Sequence, residues 1–431
     1  MTELTAPAPT TARTSLRFLT LGALALAMSI PLLLVSGVSS ERQGFFEQAK
    51  ATVASAWGGA QTVAGPFLLI DESYPCKKQT EDKGPVTTRC KTTRVFLPGT
   101  LNIASDVQHQ IRRKAIYDIP VYTSDTRLKG LFAPPSSDAR ATLHYETARL
   151  AIGLTHTQAV AEPPTVEVNR KPATLRATST VGWLPSGLHV PLTLEPGSQV
   201  AFDIQLAARG TDSLTLTALG DVTEVEARST WPHPAFGGRY LPDESEVRSD
   251  GFTAAWTVHE LARGLPSSWR GQSQHAPTGD ITIRLHPSIT DHRLVDRGIK
   301  YGLLFVALTF LTLLCFELSA KVRFHPVQYG VVGIALTLFY LALLSLSEHI
   351  PFGAAYAIAS AIVIALITGY VWGITRRRLL TGWIAGIVSF LYATLFTLLS
   401  LEDYALLAGT ALLFAGLAAL MVTTRSLTQE V

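Results

Sequence analysis

Residues 18–40 read FLTLGALALAMSIPLLLVSGVSS, 23 positions in a row without a charge. At about 1.5 Å per helical residue, such a run crosses the roughly 30 Å hydrocarbon core of a bilayer, whereas a secretory signal has a shorter apolar core. No Ala-x-Ala cleavage pattern stands just before Glu41, so the run is read as an uncleaved transmembrane anchor. Pro31 lies inside it and is predicted to kink the helix, because proline lacks a backbone N–H and crowds the preceding turn.

The same apolar character returns after Lys300. Helices are predicted near residues 300–319, 327–347, 352–374, 380–400 and 404–423, which with the anchor makes about six transmembrane helices. A mean hydropathy of +0.26 suits a chain partly dissolved in lipid. Short-loop basic residues set the direction. Arg13, Arg17, Lys321, Arg323, Arg376, Arg377, Arg378 and Arg425 all fall on one side, while the opposite turns, residues 347–351 and 401–404, hold Glu348, Glu402 and Asp403 and no Lys or Arg. Both termini are therefore expected in the cytoplasm. The chain divides into a cytoplasmic tail (1–17), the anchor (18–40), an outer domain (41–298), a five-helix bundle (299–424) and a second tail (425–431). Trp372, Trp383, Tyr329 and Tyr370 on the basic side, with Tyr301 and Tyr404 on the other, are expected in interfacial belts.

Between Glu41 and Lys300 there are 28 Lys and Arg against 27 Asp and Glu, which excludes the basic surface that nucleic acid would need. Phe45, Phe46, Ala49, Val53 and Ala56 recur at helical spacing, so the anchor is expected to continue outward as a stalk. Beyond it the period becomes two. Val200, Phe202, Ile204 and Leu206 alternate with other residues; Leu214, Leu216 and Ala218 follow the turn Gly210-Thr211-Asp212; Thr223, Val225 and Ala227 follow Leu219-Gly220-Asp221; Ile281, Ile283 and Leu285 come last. Alternation punctuated by Gly and Asp predicts an antiparallel meander in a β-rich, sandwich-like domain. Cys76 and Cys90 flank a polar tip between apolar runs. They are read as a disulfide across a hairpin, which an oxidising compartment permits and which, for a loop of this length, contributes on the order of 3 kcal/mol. Cys315 is read as an apolar filler.

Small residues recur every fourth position at Gly353, Ala357, Ala361, Ala365 and Gly369, at Gly382 and Gly386, and at Ala411, Ala415 and Ala419. These stripes are read as faces along which the bundle packs, or through which two copies associate. No metalloprotease, nucleophile-elbow, phosphate-loop, dinucleotide or CxxC motif is present, and the scattered histidines lack metal-ligand spacing, so no cofactor, metal or catalytic residue is expected. Glu317 stands four residues before Lys321, spacing suited to an ion pair near the interface. Glu348, His349, Glu402 and Asp403 cluster at the outer ends of the bundle and carry an alternative reading, a small-solute or ion transporter.

Several strings resemble the CreD family of bacterial inner-membrane proteins: Ser229-Thr-Trp-Pro-His-Pro-Ala-Phe236 with Tyr240-Leu-Pro242, Gly251-Phe252 with Trp256, Asp296-Arg297 with Lys300-Tyr301, Phe316-Glu317, His325-Pro326 with Gln328-Tyr329, and Leu346-Ser-Glu-His349. Gly65-Pro66 and the segment from Tyr117 to Tyr122 match more weakly. The likeness runs from about residue 16 to 425. It implies an inner-membrane, multi-pass protein of Gram-negative bacteria with a periplasmic domain, part of a two-component regulon, with roles in envelope integrity, stress response and colicin tolerance. It implies no enzymatic activity and supplies no catalytic residue; the Cys76 to Cys90 hairpin departs from other members. Expected partners are the lipid bilayer and an unidentified periplasmic or membrane protein. Trp231 and His233 are candidate docking residues in a proline-stiffened turn. Asp296, Arg297 and Lys300 are candidates for a clamp between domain and bundle.

Overall fold

The computed structural model describes residues 10–80, 84–177, 186–271, 280–285, 291–320, 324–400 and 405–425. It divides into two units, Met1–Phe46 with Ile289–Val431, and Glu47–Ser288. The first helices are α1 (Thr10–Ala27) and α2 (Ser29–Trp57). They break at Met28, three residues before Pro31, where the missing proline N–H would have met the Ala27 carbonyl. The stalk expected over residues 41–56 is the second half of α2.

Next come β1 (Gln61–Thr80), β2 (Gly84–Phe96), β3 (Thr100–Lys114), β4 (Tyr117–Phe132), β5 (Thr142–Leu154), β6 (Thr165–Val168), β7 (Lys171–Pro172), β8 (Arg176–Ala177) and β9 (Gly187–Pro191). They are followed by β10 (Val200–Thr211), β11 (Ser213–Leu216), β12 (Val222–Ser229), β13 (Pro234–Gly238), β14 (Glu244–Arg248), β15 (Gly251–His259), α3 (Glu260–Arg263), β16 (Ser268–Arg270) and β17 (Ile281–Leu285). One sheet runs β13-β17-β11-β1-β5-β9-β8, with β2 on β1 and β16 on β2; the other runs β14-β15-β12-β3-β4-β10-β6-β7. Their inner faces share one core, in which Phe67, Ile70 and Ile283 from the first sheet join Phe202, Val225 and Trp256 from the second. The β-rich sandwich expected from the sequence is therefore present.

The expected meander is not. β10 and β12 lie in the second sheet, but β11, between them in sequence, lies in the first, pairing parallel with β1 and antiparallel with β17. β12 then runs parallel to β3. Gly210-Thr211-Asp212 and Leu219-Gly220-Asp221 are thus sheet crossings and not hairpin turns. Period two assigns a strand's faces, and β12 obeys it along its length with Thr223, Val225, Ala227 and Ser229 buried, but it does not choose the neighbour.

The second crossing is held by two buried charged groups. Arg263, 1% exposed, donates to the carbonyl of Leu219 at 2.6 Å. Asp280 accepts from the Ala218 N–H at 3.2 Å, and its burial raises the carboxyl's pKa above the ordinary range against the smaller opposing pull of that hydrogen bond and of Arg239. Ionising Asp280 therefore costs folding stability. The cost is absent below the unfolded carboxylate value of about 3.9 and complete above the raised folded value, so the domain loses stability as pH rises through that window. Asp280→Asn is expected to remove this slope from denaturation midpoints recorded against pH; an unchanged slope would exclude Asp280 as its source.

The second part of the membrane unit comprises α4 (Asp291–Ala320), α5 (Pro326–Ser347), α6 (Phe352–Thr375), α7 (Arg378–Ser400) and α8 (Ala405–Arg425). Among the described residues, Leu19–Trp57, Leu294–Glu317, Pro326–Ser347, Phe352–Thr375 and Arg378–Ser400 are long and apolar enough to cross a membrane, and α8 adds the shorter apolar stretch Leu407–Ala418. These are the six candidate spans. Their packing overturns the small-residue reading of the bundle. Gly353, Ala357, Ala361, Ala365 and Gly369 all face outward, as do Gly382, Gly386, Ala411 and Ala415. α6 packs instead through Phe352, Tyr356, Val363 and Ile367, because bulky side chains fill the space around Phe339, whose ring meets Tyr356 at 5.4 Å and Tyr392 at 4.8 Å. Helices do approach closely at Gly302 and Gly333, where a Cβ would come within 2.8 Å of Leu32 and 2.7 Å of Met28. Tyr329 also departs from expectation: it is 3% exposed and donates to Glu317 at 2.9 Å, so it is no belt residue. Lys321, the partner expected for Glu317, lies outside the described residues.

Candidate functional site: a groove across the second sheet

Six neighbouring strands, β14-β15-β12-β3-β4-β10, present their outer face as a groove of about 660 Å³. Its shape follows from register. One cross-strand row reads Gln205, Arg127, Ala104, Glu226, Ala255 and Glu244; the next reads Asp125, Asp106, Arg228, Thr253 and Glu246. In the first row the alanines stand between long polar side chains, and their single methyl groups leave the hollow. The residues flanking these positions in sequence, such as Ser105, Thr126 and Ala227, are buried beneath it, so the floor is fixed by the core.

Five carboxylates, from Asp106, Asp125, Glu226, Glu244 and Glu246, line the groove against two guanidiniums, from Arg127 and Arg228. Several are spoken for within the sheet. Arg228 donates to Asp106 at 2.8 Å, Gln205 to Asp125 at 3.0 Å, and Arg127 grips Asp203 with two bonds of 2.8 and 2.7 Å. The Arg127 bond holds the Asp203 carboxyl below its ordinary pKa and lifts that of the guanidinium. Glu226 and Glu244 have no side-chain hydrogen bond or ion pair among the described residues. The groove therefore carries excess negative charge at its centre and along one edge, an arrangement suited to cationic donors. None of these residues stands out in the sequence as a site. Glu224 and Glu226 mark a strand there, but only the neighbouring strands show that Glu226 borders a hollow.

Trp231 and His233 lie where the chain crosses from β12 to β13, hence from the second sheet to the first. Trp231 is 7% exposed, its indole N–H donates to the His233 carbonyl at 2.9 Å, and its ring meets that of His109 edge-on at 5.2 Å. His233 is exposed. Cys76 and Cys90 are joined on the adjacent antiparallel strands β1 and β2, with Cα atoms 5.8 Å apart. In the membrane unit, Glu348 caps α5 and sits 3.5 Å from Arg42 on α2, while His349 is exposed. Glu402 and Asp403 lie outside the described residues. Asp296 accepts the Ser39 hydroxyl at 2.5 Å, a tie inside the membrane unit; Arg297 is half-buried and Lys300 exposed. Among the described residues no three His, Cys, Asp or Glu side chains gather as metal ligands.

Among solved structures, an M1 zinc metallopeptidase mutant from Deinococcus radiodurans aligns at 12% identity over 76% of this chain and 93% of that one, with a TM-score of 0.22 that supports no argument. An inner membrane protein CreD of Escherichia coli (strain K12) is 29% identical over 417 residues, spanning 93% of this chain and 90% of the relative. The family model described as inner membrane protein CreD matches residues 13–429, which takes in both units and all six candidate spans. With the match running through both the spans and the sandwich between them, the chain belongs to the CreD family of multi-pass inner membrane proteins.

Proposed function

We propose that this CreD-family protein is a non-enzymatic envelope-integrity protein whose β domain lies in the periplasm and binds a basic segment of an envelope protein, while the bundle anchors it with both termini in the cytoplasm. The observation that carries the reading is the acidic groove: a rigid, concave sheet face with two carboxylates left for an incoming cation. Orientation is supported by the one-sided distribution of short-loop Lys and Arg. The non-enzymatic reading is supported by the groove's chemistry, in which Asp106 and Asp125 are held by Arg228 and Gln205 and the remaining carboxylates offer charge for binding.

The test is charge reversal at positions that stabilise nothing else. A Glu226→Lys, Glu244→Lys variant is expected to reach the membrane at normal levels yet fail to restore envelope-stress tolerance to a strain lacking the protein. Full restoration by the variant would contradict a role for the groove.

A further inference from the structure

β3 and β4 run on past the sheet they belong to. β12 reaches β3 only as far as Val107, and β10 reaches β4 only as far as Val121, so beyond those residues the two strands pair with each other alone, down to Lys114 opposite Tyr117. At about 3.3 Å per residue, the hairpin stands about 13 Å clear of Val121. Its tip, residues 110–116, is exposed throughout. Two isoleucines face solvent there, Ile111 at 59% and Ile116 at 41% exposure, with Arg112, Arg113 and Lys114 between them. The domain leaves two of these cations largely unused. Lys114 has no ion pair among the described residues, and Arg113 stands 3.9 Å from Asp118 with both side chains mostly in solvent, while Arg112 lies over the ring of Trp57 at 4.3 Å.

Strand pairing identifies the end of the sandwich from which the hairpin projects. Thr211 pairs with Val121, and β11 starts two residues later. Gln61, where β1 begins, pairs with Leu214, and Arg284, one residue before β17 ends, pairs with Ser213. The chain therefore enters the sandwich from α2 and leaves it toward α4 at this same end. Both connections to the membrane spans are made there. We propose that the hairpin tip docks on the bilayer surface, Ile111 and Ile116 entering the interface and Arg113 and Lys114 meeting the phosphates of anionic phospholipids. Apolar side chains interleaved with cations suit a headgroup layer, which offers hydrocarbon and negative charge together and needs no matching shape. The inference rests on the membrane-spanning reading of the helices and is independent of the groove.

The full-length protein, carrying Cys315→Ala and Ala115→Cys, is labelled at the new thiol with a small fluorophore and placed in nanodiscs of phosphatidylcholine with or without phosphatidylglycerol. With phosphatidylglycerol present, the label is expected to be quenched by brominated lipid and shielded from aqueous acrylamide. Both effects are expected to weaken in phosphatidylcholine alone and as added salt screens the headgroups. A label at Gln199→Cys, exposed at the opposite end of β10, is expected to meet acrylamide only. Arg113→Gln with Lys114→Gln is expected to lower the ratio of docked to undocked tip about 25-fold, about fivefold for each cation. Ile111→Ser with Ile116→Ser is expected to abolish quenching by brominated lipid. The comparison of lipids uses one labelled chain, so it carries the test even if these variants do not fold. A tip label open to acrylamide in both kinds of nanodisc would overturn the proposal. So would a label shielded from acrylamide but not reached by brominated lipid, since a protein surface would then be what covers the tip.

Discussion

Replacing Glu72 with alanine is expected to destabilise the β domain by about 3–5 kcal/mol, the cost of removing one partner from a buried ion pair. Glu72 is fully buried on β1 and holds two guanidiniums, Arg94 from β2 at 3.0 Å and Arg270 from β16 at 2.6 Å. Arg270 also pairs with Asp138, and its guanidinium pKa is raised first by the bond to Glu72. Without Glu72, Arg94, whose side chain is only 14% exposed, would remain beside Arg270 with only the exposed carboxylate of Asp138, 3.8 Å away, as counter-charge. The measurement is chemical denaturation of the full chain in detergent, followed through the tryptophans of the β domain. Glu246→Ala, which breaks the exposed pair with Arg248, serves as control and is expected to change stability by less than about 1 kcal/mol. Equal effects for the two variants would show that burial of Glu72 is not what gives its pair weight.

Arg263→Ala is expected to cost a similar amount, again about 3–5 kcal/mol. The side chain is 1% exposed and donates to the carbonyls of Leu219 and Leu265 and to the side chains of Asp221 and Ser267. Truncation leaves the carbonyls of Leu219 and Leu265 without that donor, which penalises the folded state more than a lost surface contact would. Lysine is expected to restore only part of the loss, because a single ammonium cannot reproduce a fork that reaches two carbonyls. The effect extends to the groove. Arg263 pins the crossing that launches β12, and β12 carries Glu226 and Arg228. If Arg263→Lys proved as stable as the parent chain, the fork geometry would not be what matters.

The helices were legible in the sequence because lipid imposes one requirement along a whole segment: about twenty apolar residues with their backbone bonds satisfied internally. Strands were legible in part. Alternation at Val200 to Leu206 and at Thr223 to Ala227 gave the buried face, but partner choice depends on contacts far apart in sequence, so the passage of β11 into the other sheet was invisible. Small residues misled for a related reason. A stripe such as Gly353 to Gly369 permits close approach, yet which face a helix turns inward is decided by the fit of its bulky side chains, here Phe352 and Tyr356 around Phe339. Helix-helix contact fell instead at Gly302 and Gly333, the first of them in the single pair Gly298 and Gly302, which the longer stripes overshadowed. The groove was hidden because its hollow is made by Ala104 and Ala255, ordinary residues until register places them beside Arg127 and Glu226.

The most direct test is photo-crosslinking in living cells, with a photoreactive amino acid at Gln205 in the groove and, as control, at the exposed Lys91 on the other sheet. The account predicts an adduct from Gln205 to an envelope protein through a basic segment, lost when Glu226 and Glu244 are both changed to lysine and absent from Lys91. Adducts to cytoplasmic proteins, or the same adducts from both positions regardless of those two carboxylates, would contradict it.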